Sequence, residues 1–200
     1  MRVGIVGCGK VGTIHAAALA SLPDVSFAGA CDADRSRAEA FAAKFRVQPF
    51  TDVRALVREV DAVVIGTPHP LHAEPAIVAA EAGVHVLTEK PMASSLADCD
   101  AMLAAAARSG VTLGVVSQRR FFEPVRRVKD AIDAGKIGTP CLGTFQMYSW
   151  RDPSYYRSDP WRGRWDTEGG GVLANQSSHH LDTLLWFLGP AAEVTGYWAN

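Results

Sequence analysis

Short apolar runs separated by amphipathic stretches recur through the first 118 residues of the chain. Runs this short and rich in Val and Ile are typical of strands that are buried on both faces of a sheet. The predicted strands are Arg2–Val6, Val25–Cys31, Ala62–Ile65, His85–Leu87 and Leu113–Val116, with a weaker sixth at Val47–Phe50. Their alternation with helical stretches predicts an α/β fold built on a doubly wound parallel sheet.

The stretch from Ser94 to Ser109 illustrates the helical pattern. Ser95 with Asp98 three residues later resembles a capping box, and Gly110 suits the left-handed residue after a last turn. Apolar residues three or four positions apart are expected on its buried face, namely Leu96, Cys99, Leu103 and Ala106.

The pattern changes after Gln118, so we divide the chain into residues 1–118 and 119–200. The second region is predicted to contain a helix at Glu123–Ala134, a half-buried strand at Leu142–Trp150, a polar and aromatic loop at 151–168, a long helix at Gly171–Leu188 and a strand that begins at Glu193–Trp198. One or two strands with one covering helix leave sheet edges unpaired. We therefore expect this region to be incomplete, with further strands absent from the sequence or supplied by another subunit.

Composition excludes several classes of protein. The net charge is −1, from 20 basic and 21 acidic residues, which gives no electrostatic reason to expect nucleic acid or an anionic membrane as a partner. Hydrophobic residues make up 48%, which excludes a mostly disordered chain. The four cysteines form no CxxC pair, so neither a disulfide framework nor a metal site is expected. No apolar run approaches the ~18 residues of a membrane span, and we expect a soluble, cytoplasmic protein.

A glycine-rich turn directly follows the first predicted strand. Residues 7–12 match GxGxxG, a pattern that gains specificity only between a strand and a helix. Gly7 would allow the tight turn, Gly9 the approach of a pyrophosphate, and Gly12 the packing of helix on strand. Free N–H groups at the start of the helix would then bind the phosphate charge.

Asp32 lies 20 residues beyond this turn, at the end of the second predicted strand. Its carboxylate would accept hydrogen bonds from the ribose hydroxyls and repel a 2′-phosphate, which favours NAD over NADP. Arg35 and Arg37 lie nearby and would weaken that exclusion, so NADP stays possible. The alternative is a plain glycine turn with Asp32 as an ordinary loop residue.

Polar residues also follow the later predicted strands: residues 66–69 after the fourth, 89–91 after the fifth, and 118–119 after the sixth. Ligands of doubly wound sheets bind beyond the carboxyl ends of the strands, so this edge is predicted to be the site. Lys90 near a cationic nicotinamide ring would have its ammonium form disfavoured, which suits proton transfer. The alternative is a solvated lysine paired with Glu89.

Three polar residues interrupt the long apolar helix. Asn175, His179 and Asp182 are four and three residues apart and are expected to share one face. His179 suits proton transfer near neutral pH, and Asp182 would orient it. The alternative is a core histidine beside a surface stripe. His180 is expected to be structural.

The preceding loop alternates aromatic and basic residues: Tyr155, Tyr156, Trp161 and Trp165 with Arg157, Arg162 and Arg164. Such side chains suit a polyhydroxylated or phosphorylated small molecule. Packing of the loop over the helix is the alternative, and is favoured for Trp161 and Trp165.

Five motifs together resemble the Gfo/Idh/MocA family of glucose–fructose oxidoreductase and inositol dehydrogenase relatives. They are GCGKVGTIH at 7–15, GTPHPLHAE at 66–74, HVLTEKP at 85–91, QRRF at 118–121 and GGGVLANQSSHHLD at 169–182. The resemblance implies a Rossmann domain followed by a mainly antiparallel α+β domain, in a protein longer than this chain. It also implies hydride transfer between a nicotinamide cofactor and a carbon of a sugar, nucleotide sugar or cyclitol, in a homo-oligomer (dimer or tetramer).

The resemblance also implies roles for individual residues. Lys90 and His179 would be catalytic, while Asn175 stands where many members have an aspartate, so a relay that needs that carboxylate is absent. The expected cofactor-binding residues are Gly7, Gly9, Lys10, Val11, Gly12, Asp32, Thr67, Pro68, His69, His72, Glu89 and Lys90. The expected substrate-binding residues are Arg119, Trp161, Arg162, Asn175 and His179.

Three functions remain open from the sequence. The first is an NAD(P)-dependent dehydrogenase that accumulates reduced cofactor, in which His179, assisted by Lys90, removes the proton of the substrate hydroxyl. The second is a nicotinamide-dependent glycosidase that regenerates its cofactor in each turnover. The third is a non-catalytic NAD-binding regulator, favoured by Asn175 and disfavoured by the presence of Lys90 and His179.

Overall fold

The computed structural model describes residues 1–168 and 171–197 and places six strands in one sheet. The strands are β1 (Arg2–Val6), β2 (Ser26–Cys31), β3 (Gln48–Phe50), β4 (Ala62–Ile65), β5 (His85–Thr88) and β6 (Leu113–Val115). Every neighbouring pair is parallel, in the order β3-β2-β1-β4-β5-β6. The doubly wound parallel sheet is therefore confirmed, and each predicted strand lies within one residue of its predicted bounds.

Helices connect these strands and continue beyond them. They are α1 (Lys10–Ser21), α2 (Arg35–Phe45), α3 (Val53–Leu56), α4 (Ala73–Glu81), α5 (Leu96–Ser109), α6 (Glu123–Asp133), α7 (Pro153–Arg157), α8 (Trp165–Glu168), α9 (Val172–Asn175) and α10 (Ser178–Leu188). Two 3₁₀ turns, His69–Leu71 and Gln118–Phe121, follow β4 and β6. Both turns lie at the carboxyl edge of the sheet, where ligands of doubly wound folds bind.

Alternate residues of the central strands build a core on each face of the sheet. Val3 and Ile5 pack with Phe41 of α2 on one face, while Val63 and Ile65 belong to a cluster on the other. Burial of strands on both faces is what the unbroken apolar runs predict. The helices thus hold the sheet rigidly and fix the positions of the residues that follow each strand.

The predicted buried face of α5 is wrong at its two leucines and confirmed at Ala106. Leu96 and Leu103 are 84% and 53% exposed, whereas Met102, Ala105 and Ala106 are buried. The alanines of α5 allow it to pack closely against α4. Because alanines occur all around this helix, the spacing of its two leucines does not identify the buried face. Its predicted ends are confirmed, because Ser95 caps the amide of Asp98 and Gly110 is left-handed.

The predicted strands of the second region are also wrong within the described residues. Residues 142–150 and 193–197 have no regular structure, and Trp198 lies outside the described residues. A strand forms only when another strand pairs with its backbone, and none lies beside these segments in 119–168 or 171–197. The helix predicted at Glu123–Ala134 is confirmed as α6.

The predicted long helix is interrupted between α9 and α10. The Ser177 N–H donates to the carbonyl of Val172, five residues back, which widens the backbone turn at this point. Asn175 therefore ends one helix and His179 belongs to the next, so the prediction of a continuous polar stripe on one helix is wrong.

Candidate cofactor cleft and lysine site

A cleft of about 1290 Å³ opens at the carboxyl ends of the strands. It lies where the strand order reverses between β1 and β4, the position at which doubly wound sheets bind ligands. Segment 159–162 and Asn175 of the second region form part of its wall. The predicted site residues that line it are Gly7, Gly9, Lys10, Val11, Asp32, Thr67, Pro68, His69, Glu89, Lys90, Trp161, Arg162 and Asn175.

The glycine turn brings two strand ends together at the base of the cleft. Gly7 has a φ of +100°, and a Cβ there would lie 2.8 Å from the backbone of Gly66. A Cβ at Gly12 would collide with the carbonyl oxygen of Gly7, whereas a Cβ at Gly9 would meet nothing within 4 Å. Gly12 therefore serves helix packing, while the space beside Gly9 is open to a ligand.

The start of α1 is suited to an anion. Gly9 precedes the helix and brings no side chain to cap its first amides. Those amides carry the positive end of the helix dipole and bind phosphate well. The turn therefore fits the pyrophosphate of a dinucleotide.

Asp32 joins the end of β2 to the glycine turn. Its two carboxylate oxygens accept hydrogen bonds from the amides of Cys8 and Asp34, each at 3.0 Å. The guanidinium of Arg37 lies 3.7 Å from the same carboxylate, while Arg35 pairs with Glu39. Asp32 is thus a fixed negative group in the cleft wall, with one of the two predicted arginines beside it.

Lys90 lies at the far end of the cleft and contacts the second region. Its ammonium donates to the backbone oxygen of Asn175 at 2.8 Å and to Oδ1 of the same residue at 3.2 Å. Burial lowers the pKa of Lys90 and the charge of Arg162 lowers it further, against the opposing carboxylates of Glu89 and Glu168. The alternative of a solvated lysine paired with Glu89 does not describe this geometry.

Glu89 instead pairs with His15, a contact that the sequence did not predict. Glu89 Oε1 lies 2.9 Å from His15 Nε2, and Oε2 accepts from the amide of Lys90 at 3.1 Å. Burial raises the pKa of Glu89, but these hydrogen bonds outweigh burial and leave the pKa below its usual value. Helix α1 thereby fixes the backbone that carries Lys90.

His179 is close to the cleft but is not among the residues that line it. Its Nε2 lies 3.5 Å from the side-chain nitrogen of Gln118. Burial lowers its pKa, and the charges of Lys90 and Arg119 lower it further, which favours the neutral ring. Asp182 does not orient this ring, because its carboxylate binds Arg120 through two hydrogen bonds of 2.9 and 2.6 Å.

Two further predicted site residues have other contacts. His72 is fully buried, and its two ring nitrogens lie 2.9 Å from the carbonyl oxygens of Thr67 and Pro91, so it supports the cleft from below without lining it. The guanidinium of Arg119 lies 2.7 Å from Nε2 of His180, which stacks on Phe145. The structural role expected for His180 agrees with these contacts.

The loop between α7 and α8, residues 158–164, covers the cleft from the side of the second region and is here called the covering loop. The guanidinium of Arg162 lies over the rings of Tyr155 and Trp161, and it bonds to Asp159. Trp161 in turn packs against His69, with ring centroids 5.5 Å apart. Packing therefore accounts for part of this aromatic and basic cluster, while Trp161 and Arg162 still face the cleft.

The two thiols in the cleft wall are poorly suited to nucleophilic chemistry. Burial, followed by the charge of Asp32, raises the pKa of Cys8 to about 12 and that of Cys31 to about 11. A thiolate is the reactive form, and it is disfavoured at both positions near neutral pH.

The sheet order and the glycine turn define a doubly wound protein of the dinucleotide-binding class. The model of the oxidoreductase family with an NAD-binding Rossmann fold (GFO_IDH_MocA) matches residues 1–117, and the GFO/IDH/MocA C-terminal domain matches residues 125–200. The chain therefore belongs to the Gfo/Idh/MocA oxidoreductase family.

Curated relatives are similar over nearly the whole chain. The 1-carboxy-3-chloro-3,4-dihydroxycyclohexa-1,5-diene dehydrogenase of Comamonas testosteroni is 36% identical over 98% of this chain and 50% of its own length. The myo-inositol 2-dehydrogenase of Thermotoga maritima is 31% identical over 96% of this chain and 56% of its own length. The chain thus spans about half the length of these relatives.

A solved structure extends the similarity to three dimensions. The WlbA dehydrogenase of Bordetella pertussis, in complex with NADH and UDP-GlcNAcA, superimposes with a TM-score of 0.88 at 36% identity. The match covers 95% of this chain and 57% of that one.

Within residues 1–168 and 171–197, no helix has the length and apolarity needed to cross a bilayer. The expected cytoplasmic location and homo-oligomer stay predictions.

Proposed function

We propose that the chain forms the cofactor site and one wall of the substrate site of an NAD-dependent dehydrogenase. Its substrate would be a secondary alcohol of a sugar, cyclitol or nucleotide sugar. The observation that carries the proposal is the position of Lys90, whose partly buried ammonium lies in the dinucleotide cleft and contacts Asn175 of the second region. The named activities of the relatives support the same class of reaction.

The residues present fit a dinucleotide. The amides at the start of α1 would bind the pyrophosphate, the open space beside Gly9 would admit it, and Asp32 would accept from the ribose hydroxyls. When bound, the nicotinamide ring would accept the hydride from the carbinol carbon. Cys8, Thr67 and Trp161 would enclose the dinucleotide on the sides of the cleft.

Lys90 would accept the proton of the substrate hydroxyl. His179 would be the second proton acceptor of the site. The pKa values of both side chains are lowered, mainly by burial, so each loses its proton more readily than in water, which suits an exchange of protons with the substrate. Asn175 would hold the lysine in position through its backbone and side-chain oxygens. Trp161 and Arg162 would contact the substrate from the covering loop.

The replacement Lys90→Met tests this proposal directly. Loss of a general base lowers turnover by about 10²–10⁴-fold, so reduced cofactor should form that much more slowly with any active polyol substrate. Binding of NADH, followed by fluorescence, should change little. Lys136→Met is the matched control, because Lys136 is exposed. Full turnover in the Lys90 variant would contradict the proposed role, and tight NADH binding without turnover on any polyol would contradict a dehydrogenase.

Cofactor preference has a separate test at Asp32. The fixed carboxylate would hydrogen-bond the NADH ribose and repel the phosphate of NADPH, so Asp32→Ser should raise the NADPH-to-NADH affinity ratio. One hydrogen bond to a charged group contributes ~1.5–3 kcal/mol, or about 10–100-fold in that ratio. The ratio cancels any effect of the variant on folding. An unchanged ratio would show that Asp32 does not select the cofactor.

A further inference from the structure

Glu168 is a buried carboxylate to which the proposed reaction gives no role, although it bonds to Asn175, the residue that contacts Lys90. Glu168, the last residue of α8, is 6% exposed, and Asn175 is 8% exposed. Oε1 of Glu168 accepts a hydrogen bond from the Asn175 amide, and Oε2 accepts from the backbone N–H of Gly163 at 2.6 Å. Both oxygens therefore act as acceptors, as in an ionised carboxylate.

The amide of Asn175 connects this carboxylate to Lys90. An ammonium has only donors and a carboxylate only acceptors, so an amide between them satisfies both in a single orientation. Oδ1 must face Lys90 and Nδ2 must face Glu168, as the hydrogen bonds show. Rotating the amide by half a turn would place donor against donor and acceptor against acceptor. Glu168 thus fixes the side of Asn175 that Lys90 contacts.

We propose that Glu168 is a positioning residue for Lys90, acting through the Asn175 amide to hold the ammonium at the cleft and to balance part of its charge. The inference rests on the acid–base role proposed above for Lys90. Its effect on turnover would be indirect, because Glu168 bonds to Asn175 and Gly163 and is not among the residues that line the large cleft.

Other charged groups also influence Lys90. The charges of Glu89, at the end of β5, and of Arg162, in the covering loop, interact with Lys90. The charge of Lys90 in turn lowers the pKa of His69, in the 3₁₀ turn after β4, and of His179, in α10. Glu89 and Glu168 raise the pKa of Lys90, and burial and Arg162 lower it. Removing the charge of Glu168 should therefore move the titration of Lys90 to lower pH.

Charge and shape can be separated by two substitutions. Glu168→Gln keeps the size of the side chain and removes its charge, whereas Glu168→Asp keeps the charge and shortens the side chain. If the charge of Glu168 positions Lys90, the titration midpoint of Lys90 should change more in Glu168→Gln. If Glu168 only fills space, the midpoint should change more in Glu168→Asp, because the shorter side chain leaves a gap. Glu81→Gln removes one charge at an exposed site and is the control for net charge.

The primary measurement is the titration of Lys90 in cofactor-free protein. The chain has five lysines, so ¹³C-labelled lysine side chains give few NMR signals, and Lys90→Arg identifies the one required. In Glu168→Gln the midpoint should fall by about 0.5–1 pH unit, less than the ~1–3 units of a directly adjacent charge. Glu168→Asp and Glu81→Gln should stay near wild type. The acid limb of the turnover profile should move with the midpoint.

Several results would overturn the inference. One is an unchanged Lys90 midpoint in folded Glu168→Gln, and another is an equal shift in the Gln and Asp variants. If Glu168→Gln does not fold, Asn175→Ala interrupts the same chain of hydrogen bonds, and an unchanged midpoint there would be equally decisive against it. Failure of the proposed function would give a different result. Lys90→Met would then keep full turnover, while the Lys90 midpoint measured by NMR would still fall in Glu168→Gln.

Discussion

Asn175 lies between a cation and an anion, and this placement makes its own substitution informative. Asn175→Asp would bring two carboxylates into contact at a buried site, where one of them must take a proton or move away. We expect the free energy of unfolding at pH 7 to fall by ~1–3 kcal/mol, the penalty of leaving a buried polar group unsatisfied.

Adding Glu168→Gln to Asn175→Asp should recover most of that loss, because an amide again faces a carboxylate. Urea unfolding of the two single variants and the double variant gives the coupling free energy. Additive losses in the double variant would show that the two side chains do not interact.

A pH-dependent contribution to stability is expected from Glu89. Its pKa is lowered in the folded protein, because hydrogen bonds from His15 and the Lys90 amide outweigh burial. The stabilisation is therefore present above the unfolded value of about 4.3 and is lost as the pH falls through the folded value. Glu89→Gln should have a lower Tm at pH 7 and a smaller decrease in Tm on acidification than wild type. Equal slopes of Tm against pH for Glu89→Gln and wild type would contradict this.

Single-residue roles were predictable where position along a strand determines them. Lys90 follows a buried strand, and the end of a parallel strand must face the ligand edge. His15 and Glu168 gave no such signal, because their partners Glu89 and Asn175 are reached only through the fold; His15 and Glu89 are 74 residues apart. His72 shows the opposite case, since a position inside a ligand-edge motif can still point its ring into the core.

The strand–turn–helix unit formed by β1 and α1 contains a matched pair of glycines. A Cβ at Gly12 would collide with the backbone of Gly7, whereas a Cβ at Gly9 would meet only open space. Gly12→Ala should force α1 away from the sheet and lower the free energy of unfolding by ~1–3 kcal/mol, the usual cost of overpacking. Gly9→Ala should fold normally but bind NADH more weakly, because its methyl group enters the space proposed for the pyrophosphate.

Thermal unfolding and NADH titration of the two variants distinguish these roles. Equal destabilisation by both alanines would mean that the stability of the turn depends on the backbone freedom of glycine and not on the steric contact between a Cβ at position 12 and Gly7. Normal NADH affinity in Gly9→Ala would place the phosphate elsewhere.

Elements were predictable where local sequence alone is sufficient. Buried parallel strands need only a short apolar run, and all six were found within a residue of their ends. The segment 142–150 alternates like a strand but has no regular structure, since pairing is a property of its neighbours. The interruption at Ser177 was equally hidden, because the bond from its amide to Val172 replaces the regular helical one in a sequence without Pro or Gly.

At the scale of the whole molecule, the second region closes the cleft that the Rossmann sheet opens. Lys10 and Asp159 lie 3.7 Å apart across the opening, but the lysine side chain is 79% exposed and such pairs contribute only ~0–1 kcal/mol. The packing of Trp161 on His69, and the hydrogen bond from His69 Nδ1 to the carbonyl of Glu168, are better protected from water. These contacts should hold the covering loop beside the cleft, so a dinucleotide bound there would lie against it.

Binding of NADH should therefore protect the covering loop from proteolysis. Trypsin can cut after Arg157 and Arg164, which are exposed and flank the part of the loop that lines the cleft. If the loop must open and release the cofactor before it is cut, NADH at about 100 times its dissociation constant slows cleavage by up to about 100-fold. Cleavage at Arg126 and Arg127, exposed on α6 and away from the cleft lining, should keep its rate and serves as the internal control. Equal cleavage of the loop with and without NADH would show that the second region does not close over the cofactor.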